Sequence, residues 1–158
     1  IRMPYVTSLM TINLAKQILQ WKYEPPYDLY NQDDDEESLQ ELLEQPYTAV
    51  LNEAGQLIGF FCTGVSAQVP AGVRLGVYDK DLLDLGIGML PEWTGQGRGR
   101  EFFTFVLKSI SNQHNTQSFR LTVAEFNARA IALYTATGFV KNAAFSNGSH
   151  TFITMEKV

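Results

Sequence analysis

The chain has 158 residues, of which 45% are hydrophobic, 12% aromatic and 18% charged. That length suits one domain over residues 1–158, and so many aromatics at so low a charge density exclude a disordered chain. With 12 Lys+Arg against 17 Asp+Glu the net charge is −5, so the chain lacks the positive surface by which proteins hold duplex nucleic acid or an anionic membrane.

Residues 1–7 read as a short edge strand. Leu9, Ile12, Ala15, Ile18, Leu19 and Trp21 recur at three- and four-residue spacing, which predicts an amphipathic helix over 8–21. Pro25 and Pro26 break it, and Tyr23, Tyr27 and Tyr30 fall in an irregular or short helical piece. The acidic run Asp33-Asp34-Asp35-Glu36-Glu37 precedes Leu39, Leu42 and Leu43. It reads as an N-cap followed by acidic residues at the positive end of a helix, and the same charges would attract a cationic partner. Residues 46–52 and 56–66 read as strands joined at Asn52-Glu53-Ala54-Gly55. Cys62, the single cysteine, lies beside Phe60 and Phe61 in the second strand, which predicts a buried thiol and excludes an internal disulfide.

Residues 67–80, with Pro70, Gly72 and Gly76, read as irregular. Positions 82–90 are apolar or small almost throughout, Asp84 excepted, and predict a strand buried on both faces. Phe102, Phe103, Phe105, Val106, Leu107 and Ile110 place a helix at 98–113, and residues 119–126 alternate as a strand. A helix over 128–137 is stopped by Gly138. Strands at 139–146 and 150–157 close the chain, hinged at Ser146-Asn147-Gly148-Ser149. This order predicts an α+β class: a mixed sheet with a central parallel element and helices packed on it. No apolar stretch approaches the ~18 residues of a membrane-spanning helix, and no basic segment with a long apolar core opens the chain. A cytoplasmic protein is expected. His114 and His150 sit among polar residues without metal-ligand spacing, so no metal site is expected.

The segment Pro91-Glu92-Trp93-Thr94-Gly95-Gln96-Gly97-Arg98-Gly99-Arg100 links the buried strand to the following helix. Glycines at 95, 97 and 99 permit positive φ and leave main-chain N–H groups bare, and the helix beyond offers unpaired N–H groups and a positive dipole end. Arg98 and Arg100 add charge suited to phosphate. These features describe a pyrophosphate cradle, although the same glycines would also serve a tight strand-to-helix connection. There is no G-x-x-x-x-G-K-[ST], and the glycines run G-x-G-x-G rather than G-x-G-x-x-G, so a nucleoside-triphosphate loop is excluded and a dinucleotide fold fits poorly.

Asn127-Ala128-Arg129-Ala130 begins the later helix, and Tyr134 lies two turns along on the same side as Asn127. On their own these residues read as an N-cap and a packing aromatic. Together with the glycine segment, Asn127-Ala128-Arg129-Ala130 and Leu133-Tyr134 through Gly138-Phe139 resemble the GNAT superfamily of acyl-CoA-dependent N-acyltransferases, and the element order matches over essentially the whole chain. In that family's cradle pattern, Arg/Gln-x-x-Gly-x-Gly/Ala, Gly97 and Gly99 match, whereas Thr94 stands where Arg or Gln is usual.

The resemblance implies an N-acetyltransferase that moves an acetyl group from acetyl-CoA to a primary amine by direct attack through a tetrahedral intermediate. It places the pantetheine arm along Gly88-Met89-Leu90, with a main-chain N–H near Met89 polarising the thioester carbonyl. It places the pyrophosphate on the N–H groups of Gln96, Gly97, Arg98, Gly99, Arg100 and Glu101, and gives Asn127 a bond to the pantetheine amides. Tyr134 would protonate the leaving thiolate, since a phenol with a pKa of about 10 still carries its proton at neutral pH. For the base, Glu125, Asp84 and an ordered water all stay open, while Glu92 beside Pro91 reads as a solvated turn. The acceptor, a small-molecule amine or a protein N-terminus, would meet Trp21, Tyr23, Tyr27 and Tyr30, by stacking, hydrogen bonding or cation–π attraction, unless these form only a packed lid. Two other readings stand beside this one: a non-catalytic acyl-CoA-binding or regulatory domain of the same fold, and a nucleotide-binding module. Oligomeric state is left open, a homodimer included.

Overall fold

The computed structural model describes residues 4–158. Among the described residues seven strands form one mixed sheet in the order β1-β2-β3-β4-β5-β7-β6, as the α+β reading expects. The chain divides into two compact units, one comprising the chain up to Cys62 with Ile87–Phe105, the other Thr63–Gly86 with Val106–Val158. Strand β4 (Leu83–Met89) belongs by its start to the second and by its end to the first. No helix among the described residues is long and apolar enough to cross a membrane.

In the first unit β1 (Tyr5–Leu9) pairs antiparallel with β2 (Tyr47–Asn52), which pairs antiparallel with β3 (Leu57–Thr63). The expected edge strand is thus present from Tyr5, and residues 1–3 of that expectation lie outside the described residues. The first helix, α1 (Ile12–Leu19), is shorter than the 8–21 that periodicity suggested. Tyr5–Leu9 are taken by pairing with β2, and Thr11 caps the helix by accepting from Leu14 N at 3.2 Å. Its apolar face buries Ala15, Ile18 and Leu19 against Leu42 of α2 (Glu36–Glu44), Ala49 and Leu57. Asp35 caps α2 by accepting from Ser38 N at 2.8 Å, and that bond holds its carboxyl below the ordinary aspartate value. The acidic run therefore does open a helix.

In the second unit β5 (Phe119–Ala124) pairs parallel with β4 over Leu83↔Phe119, Asp84↔Arg120 and Leu85↔Leu121. On its other side β5 pairs antiparallel with β7 (Thr151–Lys157), which pairs with β6 (Val140–Ser146). Flanked on both edges, β5 buries all but Thr122, so the strict alternation expected of it gives way to cover on both faces. The stretch read as irregular contains the short helix α3 (Pro70–Arg74), too brief to leave a periodic signal. Helix α4 (Gly99–His114) belongs by its start to the first unit and by its end to the second, which also holds α5 (Ala128–Ala136). Gly138, at φ 101°, ends α5 in the left-handed conformation that favours glycine. Cys62 is buried, as expected.

Complete burial of β4 holds for Asp84 and Leu85 but not for the strand's last four residues, which are only partly covered. Two glycines let that end lie close to its neighbours. A Cβ on Gly88 would enter the Phe60 ring. One on Gly59 would enter the Phe102 ring and come 2.8 Å from the Gly88 carbonyl oxygen. Gly59→Ala is expected to lower stability by about 1–3 kcal/mol through overpacking, read as a lower midpoint at unchanged slope in urea unfolding.

Candidate active site

The glycine bend lies in the first unit. Beyond β4, Leu90 N donates to Ile58 O at 2.9 Å, and Pro91–Trp93 make a 3-10 turn. The Thr94 hydroxyl closes this turn by donating to Pro91 O at 2.7 Å, and the Gln96 side-chain amide donates back to Glu92 O. Gly95 and Gly97 then adopt φ of 71° and 75°, where other L-residues are strained. A Cβ on Gly97 would meet nothing within 4 Å, so backbone conformation rather than packing demands glycine there. Residues 95–98 are exposed, and α4 begins at Gly99 with its first-turn N–H groups lacking acceptors inside the helix.

Two residues outside the expected site hold this bend. Tyr5 of β1 is buried, its ring tilted against Trp93 (centroids 6.4 Å apart) and edge-on to Phe102 and Phe105 at 6.3 and 5.6 Å. Burial, with a bond to the Glu101 carboxylate, pushes its phenol up to about 12, so it remains a donor to the first turn of α4. The Arg98 guanidinium lies 4.3 Å from the Trp93 ring centroid, a cation–π contact that ties the far side of the bend to the same indole. Trp93 stood inside the sequence motif without a role. Tyr5 gave no signal, because its partners lie about ninety residues away.

The tyrosine segment belongs to the same unit. Trp21 packs on Phe60 (centroids 6.0 Å apart) at the edge of the core, so its ring is engaged by the protein itself. Tyr23 donates its hydroxyl to Met89 O at 2.7 Å, while its own N–H donates to Asn31 Oδ1 at 2.8 Å. Burial raises its phenol well above the ordinary value. Tyr27 is half-buried and Tyr30 is 38% exposed, both in a 3-10 turn.

In the second unit Asp84 is buried and engaged at both oxygens. Arg120 Nε donates to Oδ1 at 2.7 Å, its other arm to Oδ2 at 2.8 Å, and Gln68 Nε2 to Oδ2 at 2.9 Å. The Arg120 guanidinium also donates to Lys80 O at 2.9 Å and lies 5.1 Å from the Tyr78 ring centroid, and its bonds to Asp84 raise its already high pKa. Three donors, two of them on its own cation, thus engage this carboxylate. This geometry weighs against Asp84 as the base and gives it a structural role. Glu125 lies exposed in the turn after β5. Asn127 is buried and caps α5, its Oδ1 accepting from Ala130 N at 3.1 Å. Tyr134 is buried on α5, its ring 6.3 Å from that of Phe139. Tyr78 was not singled out, yet its hydroxyl bonds Thr122 Oγ1 at 2.7 Å and accepts from Val69 N at 3.0 Å. No group of three His, Cys, Asp or Glu among the described residues is placed to hold a metal ion.

The family profile for acetyltransferases of the GNAT type matches residues 14–139. The chain belongs to the GNAT acetyltransferase family. No curated protein matches the sequence. Solved structures of similar fold include a chimera of the spermidine N-acetyltransferase SpeG from Vibrio cholerae and hSSAT, at 20% identity and TM-score 0.71, covering 98% of this chain and 95% of that one. Another is AAC(6')-Ib in complex with paromomycin and acetyl-CoA, at 14% identity and TM-score 0.72, covering 98% and 93%. A third is the ribosomal-protein-S5-alanine acetyltransferase from Vibrio fischeri, at 15% identity and TM-score 0.62, covering 98% and 93%. At such identities the likeness is one of fold.

Acetyl-CoA, which the GNAT family implies, carries a diphosphate, and the residues of the bend fit one. The space beyond Gly97 is open, the main chain beside it is exposed, and a 16-residue helix starts two residues later. For the GNAT fold itself the buried ion pair is the more consequential feature. Asp84→Ala, which strands Arg120 without its partner, should cost about 3–5 kcal/mol in urea unfolding, and pairing it with Arg120→Leu should recover much of that loss.

Proposed function

We propose that this GNAT member is an acetyl-CoA-dependent N-acetyltransferase acting on a primary amine. The observation that carries the reading is the pair of left-handed glycines, 95 and 97, opening bare main chain toward the start of α4. Acetyl-CoA, when bound, supplies a thioester already activated for attack by an amine.

The N–H groups of residues 96–101 hold the diphosphate, with Arg98 and Arg100 adding positive charge. The main chain of Gly88, Met89 and Leu90 receives the pantetheine arm. Leu90 N is committed to Ile58 O, and along an extended strand the groups of Met89 then face the opposite edge, which makes Met89 N–H the donor for the thioester carbonyl. Asn127 holds the arm's amides, and Tyr134 Oη delivers a proton to the departing sulfur. With Asp84 engaged by Arg120, deprotonation of the amine falls to Glu125 or to water. Tyr27 and Tyr30 serve the acceptor, and the exposed carboxylates at 33–37 draw a cationic amine toward the first unit. Among its structural neighbours, the spermidine N-acetyltransferase and the paromomycin-bound enzyme also meet amines, which supports an amine acceptor.

A second reading, an acyl-CoA-binding domain without turnover, is favoured by the commitment of Asp84 to Arg120. Release of CoA from acetyl-CoA, measured against a panel of polyamines, aminoglycosides and peptide N-termini, separates the two: tight CoA binding with no turnover on any acceptor selects the second. Under the first, Tyr134→Phe should slow turnover ~10²-fold while CoA affinity is kept, and an unchanged kcat would remove Tyr134 from the reaction. A Cβ at residue 97 meets no neighbouring atom, so the strain of Gly97→Val falls on the backbone of the exposed bend; the variant should stay folded by circular dichroism, yet lose CoA binding by calorimetry. Retained affinity would contradict the cradle.

A further inference from the structure

The Tyr23 hydroxyl occupies a group that the proposed function needs. Within one planar trans peptide the carbonyl and the N–H point in opposite directions, so with Leu90 N–H bonded to Ile58 O, the Met89 carbonyl points away from β3. That is the edge along which a pantetheine arm would pair as an extra strand, and an arriving amide N–H would seek this carbonyl. In the structure the Tyr23 phenol already donates to it at 2.7 Å.

The segment bearing Tyr23 is tied down on both sides of the ring. Trp21 is packed on Phe60. Gln20 Nε2 donates to Asp34 Oδ2 at 2.6 Å, and the Tyr23 N–H to Asn31 Oδ1 at 2.8 Å. The main chain is therefore fixed while the side chain needs only a rotamer change to leave. A partly buried carbonyl at the end of a strand wants a partner at all times, and a phenol can fill that place until another donor arrives.

We propose that Tyr23 is a latch: a positioning residue that satisfies the Met89 carbonyl in the unliganded protein and yields it to the first amide of the pantetheine arm, rather than a residue that recognises the acceptor amine. This rests on the proposed use of acetyl-CoA. Affinity for any ligand with the arm then includes the cost of breaking the Tyr23 bond, and affinity for a ligand without the arm does not.

The test is calorimetric titration of wild type, Tyr23→Phe and Asn31→Ala with CoA and with adenosine 3′,5′-bisphosphate, which lacks the arm. Removing the hydroxyl should tighten CoA ~5-fold, the worth of one net hydrogen bond, and leave the bisphosphate unchanged. Asn31→Ala, which frees the Tyr23 main chain without touching its ring, should move CoA affinity the same way. Equal or weaker CoA binding by Tyr23→Phe, an equal gain for the bisphosphate, or a raised KM for the amine with CoA affinity unchanged would overturn the latch while leaving the acetyl-CoA reading intact. Wild-type protein that binds no CoA refutes that reading, and the latch with it.

Discussion

A carboxylate withdrawn from water must be met by a cation, and at Asp84 the cation is Arg120, its register partner on the adjacent parallel strand. Both side chains are almost wholly buried and bonded in a two-pronged fork, with Gln68 and main-chain carbonyls filling the remaining positions. A slip of one residue would carry either charge to the opposite face of its strand and leave it unpaired. The pair therefore fixes how β4 enters the sheet.

Two kinds of glycine follow from there, and they answer to different forces. Gly59 and Gly88 are glycine because aromatic rings fill the space where a Cβ would sit. Gly95 and Gly97 are glycine because the chain turns through positive φ, and at Gly97 the surrounding space is open. The first pair serves stability and the second serves access. Substitution at the two kinds should thus separate folding from binding.

What the sequence showed clearly was local. The bend was legible because its conformational demand is written in the residues that make it, and the cap at Asn127 and the stop at Gly138 were legible for the same reason. What it hid was long-range. Asp84 looked like a free acid because its cation lies thirty-six positions away, and Tyr23 looked like a substrate contact because the Met89 carbonyl lies sixty-six away. The first helix reads too long because only pairing with β2 reveals that Ser8 and Leu9 are strand. Periodicity reports which face is apolar. It does not report what the other face meets.

Thr94 illustrates how a departure from a family pattern can be compatible with the proposed mechanism. Where relatives place Arg or Gln, the shorter hydroxyl turns inward and closes the 3-10 turn on Pro91. It contributes shape to the bend and no charge. An anion held by main-chain N–H groups depends on the path of the backbone and on the helix behind it, both of which are kept here. The missing charge has near substitutes in Arg98 and Arg100, and Arg98 is seated on Trp93, which Tyr5 supports in turn. The side chain that changed was therefore one the proposed cradle could spare, whereas loss of Trp93 would unseat the arginine and the bend together.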